Sequence, residues 1–131
     1  MKYLLDSGVW LWSIASVDRI GKAASEVLRN SEHEIYFSAA SVWELSIKAQ
    51  LRKLTLPAPP ADCIPAFMAR QGLCPLPVNH LHAVRVYDLP SHHRDPFDRL
   101  LIAQAIVEDM NILTADRTFA KYPVEVLWCG K

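Results

Sequence analysis

Apolar residues follow two rhythms along this chain. Short β-favouring runs, Lys2-Tyr3-Leu4-Leu5-Asp6, Ile35-Tyr36-Phe37-Ser38, Leu73 to Val78, Asn111-Ile112-Leu113-Thr114 and Val124 to Trp128, predict strands. Between them apolar residues recur at helical spacing. A first helix is expected from Val9 to Ala15, and a second from about Arg19 to Asn30, with Asp18 as its cap and Ile20, Ala23, Ala24, Val27 and Leu28 at helical spacing. Further helices are expected over Ala39 to Leu51, Asp62 to Gln71 (stopped by Gly72), and His80 to Val86 (capped by Asn79). Pro57, Pro59 and Pro60 make a loop, and Pro75 and Pro77 assign the third run to a sheet edge or a strand end. The longest apolar helix begins at Asp95-Pro96-Phe97-Asp98 and runs to about Asp109, and Asp116 to Lys121 is a helical turn. Asp95 suits the N-cap, Pro96 the first helical position and Asp98 the first turn, where the helix dipole favours negative charge.

Strands separated by helices imply right-handed crossovers and an α/β/α sandwich around a mainly parallel, roughly five-stranded, Rossmann-like sheet. Such sheets bind ligands beyond the carboxyl ends of their strands, where strand order reverses. Asp6 ends the first strand, Asp116 follows the fourth, and Glu44 and Asp98 are expected near the starts of helices at that edge. Four acids from distant segments are thereby predicted to share one rim.

The 131 residues make a single domain, residues 1–131, with hydrophobic residues at 51% and no apolar segment long enough to span a membrane. No export signal is recognised at Met1-Lys2, and Cys63, Cys74 and Cys129 lack metal-ligand spacing, so the expectation is a cytoplasmic protein with small buried thiols. Basic and acidic residues balance at 14 each, which argues against nucleic-acid binding by bulk charge alone. It leaves open an acidic pocket offset by a cation and rimmed by local bases.

Each acid has a local use to weigh against a shared one. Asp95 and Asp98 can both simply start a helix, Ser41-x-x-Glu44 matches a capping box, and Asp116 can cap the following turn. Asp6 is harder to assign this way, because an acid ending an apolar strand has few structural duties. Crowded carboxylates repel and raise one another's pKa. Four of them without matching bases fit a hard divalent cation, Mg²⁺ or Mn²⁺, which prefers oxygen ligands and supports phosphodiester hydrolysis.

The motifs Leu4-Leu5-Asp6-Ser7, Ser41-Val42-Trp43-Glu44-Leu45, Asp95-Pro96-Phe97-Asp98-Arg99-Leu100-Leu101-Ile102-Ala103-Gln104-Ala105 and Leu113-Thr114-Ala115-Asp116 resemble, in order, the successive signatures of PIN-domain nucleases, most closely the VapC-type toxins. This resemblance implies a Mg²⁺- or Mn²⁺-dependent endoribonuclease binding one or two ions, inhibited by a small antitoxin protein and dimeric with itself. It implies Asp6, Glu44, Asp98 and Asp116 as catalytic metal ligands, Asp6 and Asp98 foremost, with Ser7 or Thr114 orienting a ligand or a water. Asp95 is assigned to helix capping. Arg94, Arg99 and Arg117 are candidates for RNA phosphate contacts, although each has an Asp nearby to pair with. Relatives of this type commonly carry Thr-His where this chain has Ser7-Gly8; His92 or His93 are candidates to replace that histidine, though adjacent loop histidines are more often simply exposed. Trp10, Trp12 and Trp43 are expected in the core or a dimer interface rather than stacked on bases, and Trp128 in the core. Two other classes use similar scaffolds. A receiver-like Mg²⁺-binding signalling domain needs an adjacent acidic pair after the first strand, and a phosphatase with a nucleophilic Asp6 needs an acid where Gly8 stands. A non-catalytic binding module would have no reason to keep four repelling acids.

Overall fold

A computed structural model describes residues 1–131. Five parallel strands, β1 (Lys2–Leu5), β2 (Glu34–Ser38), β3 (Cys74–Leu76), β4 (Asn111–Thr114) and β5 (Val126–Trp128), form one sheet in the order β3-β2-β1-β4-β5. The strands are buried from both sides, so alternate residues feed two cores. Tyr3, Leu5, Ile35, Phe37 and Leu113 face one layer, together with Trp10 of α1 (Ser7–Ala15), Ala24 of α2 (Lys22–Arg29), Leu45 of α3 (Ala39–Gln50) and Ile64 of α4 (Pro60–Gln71). Leu4 and Ile112 face the other, with Leu101, Ile102 and Ala105 of α6 (Pro96–Glu108). The short α5 (His80–Arg85) packs against α6. This is the expected α/β/α sandwich with an all-parallel sheet, and the proline-bearing β3 lies at its edge.

Chain direction across the sheet reverses between β1 and β4, because β2 and β3 are laid to one side of β1 and β4 and β5 to the other. The carboxyl ends of β1 and β4 therefore flank the crevice where a doubly wound sheet takes its ligands.

Two local features differ from the sequence expectation, and the start of α6 agrees with it. Asp18 lies in a 3-10 turn (Val17–Arg19), and α2 starts after Gly21, not after Asp18. Gly21 donates its amide to the Cys129 carbonyl at 2.8 Å, and a Cβ there would come within 2.8 Å of the Gly130 carbonyl oxygen. That close backbone approach, not side-chain capping, fixes where α2 begins. Helix α3 follows β2 with no loop, and Ser38 caps it by accepting the Ala40 amide at 3.0 Å. Ser41 is therefore inside the helix and forms no capping box with Glu44. Asp95 does cap α6, accepting the Phe97 amide at 2.9 Å, and the left-handed Asp109 (φ 55°) stops it.

The tryptophans divide. Trp10 is fully buried, stacked on Phe37, and donates its indole N–H to Gln71 Oε1 at 3.0 Å. Trp12 is half-buried beneath the Arg19 guanidinium. Trp43 is 60% exposed with its edge against Phe97. Trp128 is not core: it is 36% exposed at the end of an edge strand, where the Arg117 guanidinium covers it at 4.4 Å. No helix is long and apolar enough to cross a membrane. Cys63 and Cys129 are buried, Cys74 is half-buried, and all three are free.

Candidate active site: an acidic crevice at the strand-order reversal

Asp6 leaves the end of β1 and caps α1, accepting the Gly8 amide at 3.4 Å. The buried Thr114 hydroxyl, at the end of the neighbouring β4, donates to Asp6 Oδ2 at 2.8 Å. Burial pushes the Asp6 pKa up against those two hydrogen bonds, and the charges of Glu44 and Asp116 add to the rise.

Glu44 sits in the second turn of α3 and is buried. Its Oε1 accepts the Ser7 hydroxyl at 2.8 Å, and its Oε2 pairs with Lys48 Nζ at 2.9 Å, one helical turn on. The Lys48 pKa is raised by that hydrogen bond to Glu44.

Asp98 lies in the first turn of α6. Burial, followed by the charges of Asp6, Asp95, Glu44 and Asp116, pushes its pKa up to about 8. Asp116 leaves the end of β4 and caps the 3-10 turn Arg117–Lys121 through the Thr118 amide at 2.9 Å. Burial alone would raise it, but the Thr118 amide and His93 outweigh that and hold its pKa below the usual value.

Three of the acids expected at one rim, Asp6, Glu44 and Asp116, thus act electrostatically on the fourth, Asp98, and Ser7 and Thr114 each hold one of them. One premise is corrected: the acids are not without bases. Lys48 pairs with Glu44, and His93 Nε2 lies 2.9 Å from Asp116 Oδ2 and 3.0 Å from Asp98 Oδ2. The ligand atoms of His93, Asp98 and Asp116 all lie within 4.8 Å of one another. Even with both bases, Asp98 stays difficult to ionise. The donor set is dominated by carboxylate oxygen, which suits a hard divalent cation.

The arginines separate as well. Arg99 is half-buried and engaged by the loop: its guanidinium donates to the carbonyls of Pro90 at 2.9 Å and Val86 at 3.3 Å and reaches the Tyr122 hydroxyl at 3.4 Å. It pins the loop before α6. Arg94 is exposed in that loop, and Arg117 is exposed with one face on Trp128. Sequence reasoning offered His93 only as a substitute for a histidine after Asp6; its place between Asp98 and Asp116 had no local signal. The Lys48 contact had a signal, since Glu44 and Lys48 are four apart on one helix.

At position 8, a Cβ would meet Asp6 Oδ2 at 3.7 Å, an ordinary contact. The glycine there is not forced by crowding.

Against known proteins, 56 residues are 41% identical to ribonuclease VapC16 of Mycobacterium tuberculosis (strain ATCC 25618 / H37Rv), spanning 43% of this chain and 40% of that relative's length. The fold is similar to that of VapBC2 from Rickettsia felis, bound to a DNA fragment from its promoter, with TM-score 0.72, 16% identity and coverage of 97% of this chain and 98% of that one. It is similar too to DNA-bound VapBC from Salmonella typhimurium, with TM-score 0.71, 17% identity and 97% of each chain covered. The PIN domain model matches residues 3–125, from β1 through β4 to just short of β5, and takes in all four acids. Sequence signature, sheet order and acidic crevice agree with that match, and the chain belongs to the PIN domain family.

Proposed function

We propose that this chain is a Mg²⁺- or Mn²⁺-dependent endoribonuclease, the toxin of a toxin–antitoxin pair. The observation that carries the proposal is the Asp98 carboxyl, forced up to about 8 by burial and by the acids around it. A carboxylate kept in so unfavourable a setting makes physical sense when a cation offsets it. The partial match to a protein named as a ribonuclease supports the reaction class, and the fold shared with VapBC complexes supports an antitoxin partner.

Asp6 and Asp98 would be the principal ligands of one or two ions, with Glu44 and Asp116 binding directly or through water. The ion, when bound, supplies charge neutralisation at the phosphate and acidifies a water. Thr114 holds Asp6 by one oxygen and leaves Oδ1 to the Gly8 amide at only 3.4 Å, a weak tie that a ligand can replace. Ser7 fixes Glu44 from the opposite side. Lys48 Nζ is about half-exposed beside the crevice, so it can meet RNA phosphate without leaving Glu44. Arg94 and Arg117 are the exposed arginines for the rest of the RNA backbone.

The partner surfaces follow. A homodimer is supported by the stripe Leu81, Val84 and Tyr87, which is 66%, 66% and 92% exposed along and after α5.

The test is RNA cleavage by the purified chain with Mg²⁺ or Mn²⁺. Chelation with EDTA, Asp6→Asn and Asp98→Asn are each expected to reduce cleavage to background while circular dichroism stays unchanged. Wild-type cleavage rates in either well-folded variant would overturn the site.

A further inference from the structure

His93 brings an imidazole among the oxygens of the crevice, and it is tied down on every side. Its backbone amide donates to the Tyr122 hydroxyl at 2.7 Å, and the His92 amide donates to the same oxygen at 3.1 Å. Tyr122 is buried. Arg99 closes the other side of the loop through the Pro90 and Val86 carbonyls. Inside this frame the ring packs edge-on against Phe119 and points Nε2 between Asp98 and Asp116.

The remaining ring nitrogen decides the chemistry. Nδ1 accepts the Asp95 backbone N–H at 3.2 Å. An N–H cannot face a second N–H, so the proton of a neutral ring sits on Nε2. A metal-ligating histidine needs the opposite arrangement: a lone pair toward the metal, with its other nitrogen donating to a carbonyl or carboxylate. Here the other nitrogen faces a donor.

We propose that His93 is a positioning residue and not a metal ligand: its Nε2–H, fixed by the Asp95 amide and the Tyr122 anchor, holds the Asp98 and Asp116 carboxylates together for the ion. Those two acids come from separate segments, the start of α6 and the turn after β4. His93 Nε2 is in contact with both, with its N–H directed to Asp116 Oδ2 at 2.9 Å and Asp98 Oδ2 beside it at 3.0 Å. The inference rests on the metal-site reading above and adds which residue makes that site competent.

Three measurements on the full chain test it. In the metal-free protein, ¹⁵N–¹H correlations of the ring are expected to report the Nε2-protonated tautomer; a proton on Nδ1 overturns the proposal. Titration with Mn²⁺, followed by the free-ion electron paramagnetic resonance signal, is expected to show about 10–100-fold weaker binding in His93→Ala. His93→Gln, whose amide N–H can reach the same carboxylates, is expected to recover most of that loss, and Tyr122→Phe to show a smaller loss. Electron spin-echo modulation of bound Mn²⁺ is expected to show no directly coordinated nitrogen. Wild-type Mn²⁺ affinity in His93→Ala overturns the clamp while leaving the metal site standing, as does a coordinated ¹⁴N that disappears in His93→Gln. If the wild-type chain takes up neither Mn²⁺ nor Mg²⁺, the metal reading falls and the clamp falls with it.

Discussion

Replacing Asp98 with asparagine should make the metal-free protein more stable. Asp98 ionises near 8 in the folded chain, against an ordinary value of 3.8, which an unfolded chain would restore. Its folded pKa is raised, so its contribution to stability is intact below about pH 4 and is lost as pH rises toward 8. Each pH unit inside that window costs the folded state ~1.4 kcal/mol, a ceiling of about 4 kcal/mol at pH 7. The side chain is 15% exposed and faces the His93 N–H at 3.0 Å, and water entering the crevice relaxes the charge further. An effect of about 1–2 kcal/mol is the reasonable expectation, which for a domain of this size is about 5 °C in Tm. Thermal melts of both proteins in EDTA at pH 5, 7 and 8.5 measure it. The gap between them should widen with pH in favour of Asp98→Asn. Adding Mg²⁺ or Mn²⁺ at about 100 times its Kd should reverse the order, since a ligand that binds only the folded wild type adds ~2.7 kcal/mol. If Asp98→Asn is no more stable than wild type in EDTA, and the gap ignores pH, the charge at Asp98 is not strained and the case for a cation fails.

Other consequences lie outside the crevice chemistry. Gly8→Ala should stabilise the chain by about 0.5 kcal/mol in a urea titration, because Gly8 lies inside α1 and its Cβ would meet only an ordinary contact; a destabilised variant would mean that the added methyl disturbs Asp6. Ile102→Ala should cost about 2–5 kcal/mol by the same measurement, since Ile102 is fully buried where α6 lies on the sheet. Thiol labelling of the native protein at pH 7.5, counted by mass spectrometry, should modify Cys74 alone. Cys63 is buried, and burial together with Asp6 pushes the Cys129 thiol up to about 12. Fast labelling at Cys129 would contradict that environment.

Much of this is legible in the residues because the signals are local. Asp95-Pro96-Phe97-Asp98 specifies a cap, a first helical residue and a first-turn acid, and the start of α6 obeys each. Pro75 and Pro77 put β3 at the edge because a strand lacking amides cannot be paired on both sides. Misjudged features depend on partners distant in sequence. The start of α2 is set by Gly130, more than a hundred residues away in the chain, so Asp18 as the nearest polar residue was a poor guide. Ser38 and Ser41 are both credible caps until β2 and α3 are known to join without a loop. Trp128 reads as core from its hydrophobicity, yet its strand ends at the sheet margin, where an arginine covers it instead of a helix.

The same distinction explains why four acids were visible in the sequence and their balance was not. Each acid stands at a recognisable place, a strand end or a helix start or interior, but what neutralises it comes from elsewhere. Asp6 is held by Thr114 across the β1–β4 boundary, Glu44 by Ser7 and Lys48, and Asp116 by the Thr118 amide and His93. Asp98 has only the neighbouring His93 Nε2 at 3.0 Å, whose N–H is given to Asp116. Hydrogen bonds or bases therefore hold three of the carboxylates, but burial still pushes Asp6 up, so the need for a cation is concentrated on Asp98 and Asp6. This makes the crevice a stronger candidate than four bare acids would be. The protein fixes three ligands in place with hydrogen bonds and leaves Asp98 and the buried Asp6 with charge that an incoming ion can relieve, so the free energy of binding is directed to the point where α6 meets the ends of β1 and β4.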